Sequence, residues 1–216
     1  MDSSLSKINS RHQSIHPSVK NKSKRLIDIM GALLGIALTI VIVMVVAIAM
    51  LIFDPGPIFY SQRRCGLYGR TFRIWKIRSM VFNADKLKDQ VHNEASGQMF
   101  KNANDPRITY LGKFLRCTSL DEFPQFWNVL KGDMSLVGTR PPTIDEVQYY
   151  QIHHWERLKV KPGITGEWQV YGRSKIKDFE EMVRLDLRYQ SRWSVVYDLK
   201  LILKTILIVL NRNGAY

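Results

Sequence analysis

From Met30 to Phe53 the chain carries no charged residue and is built almost wholly of Ile, Val, Leu, Ala and Met, relieved by Thr39 and a little glycine. A run of that length suffices for a membrane helix, and it lacks the polar stripe that a helix buried in a soluble core normally shows. It is longer than an ordinary signal-peptide core, and no small-residue cleavage site precedes Asp54-Pro55-Gly56-Pro57, so it is expected to stay on the chain. Residues 1 to 23 are polar, with Lys7, Arg11, Lys20 and Lys22 against the single acid Asp2, and lack any hydrophobic period. They predict a flexible basic leader.

Beyond the apolar run, Thr71 to Ser79 alternates like a strand, with Phe72, Ile74, Lys76 and Arg78 on one face. Same-face neighbours in a strand stand roughly 7 Å apart, so Lys76 and Arg78 could together grip a diphosphate; a solvated edge guarded by basic residues is the plainer reading. Asn83 to Asn104 is polar and predicts a helix-and-loop excursion. Glu122 to Lys131 predicts a helix closed by Gly132. Val195 to Leu210 is strongly apolar but is interrupted by Asp198, Lys200 and Lys204, with Trp193 and Tyr197 at its start. That pattern suits an amphipathic helix in the headgroup layer, or one packed on the core.

At 216 residues there is room for one catalytic domain with attached membrane elements. The net charge of +13 calls for anionic partners: nucleic acid, an acidic membrane surface or phosphate-rich substrates. Lys20, Lys22, Lys24 and Arg25 precede the apolar run, and Arg63, Arg64, Arg70, Arg73, Lys76 and Arg78 follow it. Basic flanks favour the cytoplasmic side, so a helix that enters and returns satisfies both, whereas a spanning helix exports one. Cys65 and Cys117 form no CxxC or Cys/His cluster, which fits a reducing compartment and gives no zinc framework. GxxxxGK[ST], GxGxxG, HExxH and GxSxG are absent, which removes the usual support for nucleotide hydrolysis, dinucleotide redox, zincin and serine-hydrolase chemistry. Adjacent His153 and His154 rarely converge on one ion in a regular element.

Thr118-Ser119-Leu120-Asp121-Glu122-Phe123-Pro124-Gln125 sets two adjacent carboxylates at an expected helix start, with Asp121 as the N-cap. A carboxylate there stays ionised, as a nucleophile or magnesium ligand must be, though most acids at helix starts are only caps. Ser135 to Pro142 forms a glycine-containing turn that delivers Arg140 ahead of a rigid proline pair. Lys161-Pro162-Gly163-Ile164-Thr165-Gly166 is a second stiff turn, followed by Trp168, Gln169 and Tyr171-Gly172-Arg173.

KRLIDI at 24 to 29, GPIFYSQRRCG at 56 to 66, FRIWKIRSM at 72 to 80, RITYLGKFLRCTSLDEFPQFWNVLKGDMSLVGTRPP at 107 to 142 and KPGITGEWQVYGRS at 161 to 174 strongly resemble the bacterial sugar transferase family, the monotopic phosphoglycosyl transferases. The resemblance implies transfer of a hexose-1-phosphate from a UDP-sugar, glucose or galactose, to undecaprenyl phosphate with release of UMP, as the first membrane step of exopolysaccharide or capsule assembly. By matching motif positions, Asp121 becomes the nucleophile and a magnesium ligand, and Glu122 a base or metal neighbour. Lys76, Arg116 and Arg140 become phosphate contacts, with Arg78 a weaker one and Asp133 a weaker metal candidate. Lys24, Arg25 and Thr39 would belong to the membrane anchor. The family often breaks its re-entrant helix with Ser-Pro, whereas Leu38-Thr39-Ile40-Val41 stands here, and Thr39 could bend the helix by bonding a carbonyl one turn back.

The expected fold is α+β and helix-dominated: a leader (1–23), a re-entrant or spanning membrane helix (24–55), a cytoplasmic catalytic domain with a small β-hairpin and interfacial helices around a single core (56–194), and an amphipathic C-terminal helix and tail (195–216). The resemblance places the chain at the cytoplasmic face of a bacterial cell membrane, without nucleic acid, and leaves a homo-oligomer open. The competing function is a membrane-tethered module that binds an anionic ligand without catalysis, which gives Asp121 and Glu122 no purpose.

Overall fold

The structure is a computed structural model that describes residues 15–172 and 176–211. Most of the expected leader, including Lys7 and Arg11, lies outside the described residues, as do Arg173 and the last five positions. Where the leader is described it is partly helical. A short helix α1 (Pro17–Lys20) leads through Asn21, whose side chain caps the Lys24 amide, into the long helix α2 (Lys22–Phe53). The helix thus begins at Lys22, before the uncharged run.

At about 1.5 Å per residue, the 32 residues of α2 extend about 48 Å, and α2 is long and apolar enough to cross a membrane. One stripe of it meets the rest of the chain from end to end. Lys24 is buried, and its ammonium donates to Asp198 Oδ2 at 2.6 Å and to the Val137 carbonyl at 2.9 Å. Arg25 donates to the Val129 and Leu130 carbonyls at 2.8 and 2.7 Å, closing the C-terminal end of α4 (Gln125–Lys131). Asp28 accepts from Ser135 Oγ and the Leu136 amide, both at 2.9 Å. Ala32, Val46 and Met50 are buried farther along, and beyond the helix end Asp54 pairs with Arg78. Gly35 is needed where the Phe126 ring lies; a Cβ there would come within 2.3 Å of it. The other faces leave Leu26, Leu34, Val41, Val45, Leu51 and Phe53 exposed.

The predicted hairpin is present. Strands β1 (Phe59–Cys65) and β2 (Thr71–Ile77) pair antiparallel, with Tyr60 opposite Lys76, Gln62 opposite Ile74 and Arg64 opposite Phe72. Cross-strand partners share a face, so Tyr60, Gln62, Arg64, Ile74 and Lys76 look the same way. A second sheet, absent from the sequence reading, joins β3 (Ser135–Val137) in parallel to β4 (Gly163–Thr165). Its strands are too short to reveal an alternation, and they coincide with the two stiff turns.

Helix α3 (Tyr110–Cys117), capped by Thr109, lies so close to the end of β2 that a Cβ on Gly112 would stand 1.9 Å from the Ser79 carbonyl oxygen. The chain then continues through α4, α5 (Ile144–Gln148), α6 (Glu167–Gly172), α7 (Phe179–Ser191) and α8 (Val195–Leu210). α8 has the predicted bounds. It buries Asp198 and Leu201 and exposes Val196, Leu199, Leu203 and Leu210. The polar excursion from Asn83 is a 3₁₀ turn, Ala84–Gln90, and loop.

Candidate active site

The acid pair does not sit where helix-capping logic puts it. Leu120–Glu122 is a 3₁₀ turn introduced by Ser119 in the left-handed region (φ 59°), and α4 starts only at Gln125, behind Pro124. Asp121 is therefore not an N-cap. The tight turn buries its side chain, only 4% exposed, while Glu122 stays half-buried. From behind, Thr39 of α2 holds this segment. Its hydroxyl lies 2.6 Å from the Gly35 carbonyl one turn back, as expected, and 3.2 Å from the carbonyl of Phe123.

Asp121 and Glu122 open onto a cavity of about 540 Å³ that is also lined by Lys76, Arg78, Arg116, Arg140 and Arg64. Elements distant in sequence thus bring together the acid pair and the expected cations. The hairpin face delivers Lys76, whose ammonium pairs with Glu122 at 2.9 Å. Arg116 comes from α3, and its Nε donates to Ser79 Oγ at 3.1 Å, so the close docking at Gly112 also aims this guanidinium. Arg140 reaches in from the turn after β3. Glu146, at the start of α5, accepts from both its Nη atoms at 2.8 and 3.2 Å. Burial disfavours the charge on Arg140, but Glu146 outweighs it and holds the guanidinium firmly protonated. Burial likewise works against an ionised Glu146, and Arg140 overcomes it, leaving the carboxyl below the usual range.

Some sequence expectations need correction. Arg78 lines the cavity, but its donors are committed: Nε to the Pro57 carbonyl at 2.8 Å, Nη1 to Asp54 Oδ1 at 2.8 Å and Nη2 to the Asp54 carbonyl at 2.5 Å. It lies beyond the end of β2 and fastens the C-terminal end of α2. Arg78→Gln is accordingly expected to lower thermal stability by about 2–4 kcal/mol, since it leaves Asp54 unpaired. In protein that remains folded it should change donor affinity less than twofold; titration calorimetry beside thermal unfolding checks this. Asp133 is not among the cavity residues, and its carboxylate is held by Lys131 at 3.1 Å and Asn128 Nδ2 at 3.3 Å. Lys24 and Arg25 spend their charges inside the protein rather than on lipid.

His153, His154 and Glu180 do converge, within 4.8 Å of one another, although adjacent histidines seldom do so. His154 Nδ1 accepts the Gln151 amide at 3.0 Å, so the proton of the neutral ring is on Nε2, which donates to Glu180 at 2.7 Å. A ring so committed has no lone pair to offer a metal. Sequence reading missed Arg64 as a wall residue. The signal was the alternation Tyr60, Gln62, Arg64 within FYSQRRC, which becomes legible once β1 is paired with β2.

The donor set suits a hard cation. Two adjacent carboxylates, one of them buried, provide oxygen ligands of the kind magnesium takes, in a cavity also lined by cations. Among known proteins, residues 19–212 match the family model described as bacterial sugar transferase. The chain is 51% identical to the galactosyl transferase CpsE of Streptococcus agalactiae over 89% of this chain and 43% of that protein. It is 45% identical to the undecaprenyl-phosphate galactose phosphotransferase of Salmonella typhimurium over 76% of this chain and 35% of that protein. It thus spans less than half the length of these curated relatives, yet it matches the exopolysaccharide production protein ExoY of Sinorhizobium fredii at 37% identity over 90% of this chain and 88% of that protein. With one family model covering nearly all of its length and relatives of such identity, the chain belongs to the bacterial sugar transferase family.

Proposed function

We propose that the protein transfers a hexose-1-phosphate, glucose or galactose, from a UDP-sugar to undecaprenyl phosphate and releases UMP. The observation that carries this reading is the meeting of Asp121 and Glu122 with Lys76, Arg116 and Arg140 in one cavity. An Asp121 carboxylate oxygen attacks the β-phosphorus of the donor; the bond from that phosphorus to the bridging oxygen breaks, and UMP leaves with its electrons. A phosphate oxygen of undecaprenyl phosphate then attacks the same phosphorus, freeing Asp121 and completing a lipid-linked diphosphate. Phosphoryl transfer asks a protein for alignment and charge neutralisation. Lys76, Arg116 and Arg140 meet the donor's negative charge, and the ion pair with Lys76 keeps Glu122 beside the nucleophile as a base or metal neighbour. Magnesium, held by Asp121 and Glu122, would supply further neutralisation of the diphosphate.

The acceptor phosphate lies at a headgroup plane, so the cavity must face one. We read α2 as re-entrant at the cytoplasmic face of a bacterial cell membrane. In support, Lys24 at one end of α2 and Asp54 just past the other both bind the same polar domain, which a straight crossing would drag into hydrocarbon. The exposed apolar faces of α2 and α8 would then meet lipid. The reading places the reaction at the start of exopolysaccharide or capsule assembly.

Membranes containing the protein, given undecaprenyl phosphate and a panel of UDP-sugars, should release UMP in step with lipid-linked sugar phosphate for UDP-glucose or UDP-galactose. Free sugar phosphate in place of the lipid product would identify a hydrolase, and binding without UMP a non-catalytic module.

A further inference from the structure

Buried polar atoms without a protein partner are rare in folded chains. Among the described residues, three lie on the cavity wall: Arg64 Nε, Trp168 Nε1 and Gln169 Oε1. They gather around the turn that carries Arg140. Arg64 Nη1 donates to the Pro141 carbonyl at 3.1 Å, and the Arg140 guanidinium stands 5.9 Å from the centre of the Trp168 ring, with Gln169 the next residue of α6.

Charge separates Arg64 from its neighbours. Lys76 has Glu122 and Arg140 has Glu146, whereas Arg64 has no carboxylate within ion-pair distance among the described residues. Burial, and then the nearby Arg140, bring its pKa down to about 10. Glu146 and Glu122 favour its charge only from a distance and do not offset the burial; a desolvated guanidinium without a close counter-charge is costly, and an anion entering the cavity relieves that cost. Water could satisfy the indole N–H and the amide oxygen, but it cannot supply the missing charge.

We propose that Arg64, Trp168 and Gln169 form a subsite for a phosphate-bearing sugar ring, in which Arg64 and the indole N–H donate to phosphate oxygens and the Gln169 amide oxygen accepts from a ring hydroxyl. The subsite rests on the nucleotide-sugar reading above and adds residues of the hairpin and α6 to the donor site. A nucleotide sugar offers this chemistry twice, as ribose phosphate and as hexose phosphate.

Titration calorimetry and thermal unfolding on the full chain in nanodiscs, with UDP, UMP and galactose 1-phosphate, test it. Trp168→Phe should weaken binding of UDP and of one of the two monophosphates by about threefold to tenfold, the scale of one neutral hydrogen bond. Its unfolding temperature should not change, because the lost N–H has no protein partner. Arg64→Met should weaken the same ligands by about tenfold or more, with the unfolding temperature unchanged or raised. If Arg64→Met does not fold, Arg64→Lys, which keeps the charge and loses the fork, must still weaken them. The monophosphate that is affected identifies which half of the donor occupies the subsite. Unchanged affinities in the Trp168 or Arg64 variants overturn the subsite alone and leave water as the partner. Wild-type protein that binds none of the three ligands overturns both the subsite and the nucleotide-sugar reading.

Discussion

Asp121→Asn is expected to abolish UMP release, lowering turnover by on the order of 10⁴-fold or more, the scale on which removing a covalent nucleophile acts. The amide keeps the size and shape of the acid in a site where the side chain is 4% exposed, so the fold should persist, and thermal unfolding checks that. Labelled donor should leave a phosphosugar on wild-type protein when acceptor is withheld, and none on the variant. Release of UMP at the wild-type rate by Asp121→Asn would remove the nucleophile from the mechanism. Glu122→Gln provides the contrast: it breaks the Lys76 ion pair and loses a base but keeps the nucleophile, so a loss of about 10²- to 10³-fold is expected.

The second large effect concerns stability. Arg157 and Asp186 are both fully buried, at 0% exposure, and meet through two bonds to Asp186 Oδ2, at 2.9 and 2.5 Å. Arg157 also donates to the Tyr150 hydroxyl at 2.6 Å and to the Arg140 carbonyl at 3.3 Å, so this ion pair underpins the turn that presents Arg140. Asp186→Ala leaves a guanidinium buried without its counter-charge and should cost about 3–5 kcal/mol. At about 2–4 °C per kcal/mol for a chain of this size, unfolding would fall by roughly 10 °C. Replacing both partners with apolar residues, as Arg157→Met with Asp186→Leu, should recover most of the loss. A single variant as stable as wild type would show that the pair contributes little.

The two features with the longest uninterrupted patterns were legible in the sequence. The uncharged run from Met30 to Phe53 and the apolar stretch from Val195 to Leu210 are both helices. The alternation at Thr71 to Ser79 likewise gave a strand. The bounds of α2 were legible to within two residues, 24–55 against Lys22–Phe53, but what its charged first turns do was not, because Lys24, Arg25 and Asp28 look out of place in an apolar element. They continue it because partners such as Asp198, the α4 carbonyls and Ser135 arrive from remote positions. The same holds at the site. The residues that meet in the cavity were named from matching motifs, but the Arg78 contact with Asp54 was not legible, because nothing local says that Asp54 will claim its guanidinium. Ser119 hid the true shape of the acid segment, since a left-handed serine is unusual and turned an expected cap into a 3₁₀ turn.

The ion pair between Lys24 and Asp198 joins positions 174 residues apart. During synthesis at about 5–20 residues per second, roughly 10–35 s separate the emergence of its two members. For most of that interval the first long helix is complete yet lacks the partner that neutralises the Lys24 ammonium. Biogenesis therefore has to shelter an unpaired ammonium on this helix until the end of the chain arrives, and premature termination before Asp198 would leave a product that never closes around its first turn.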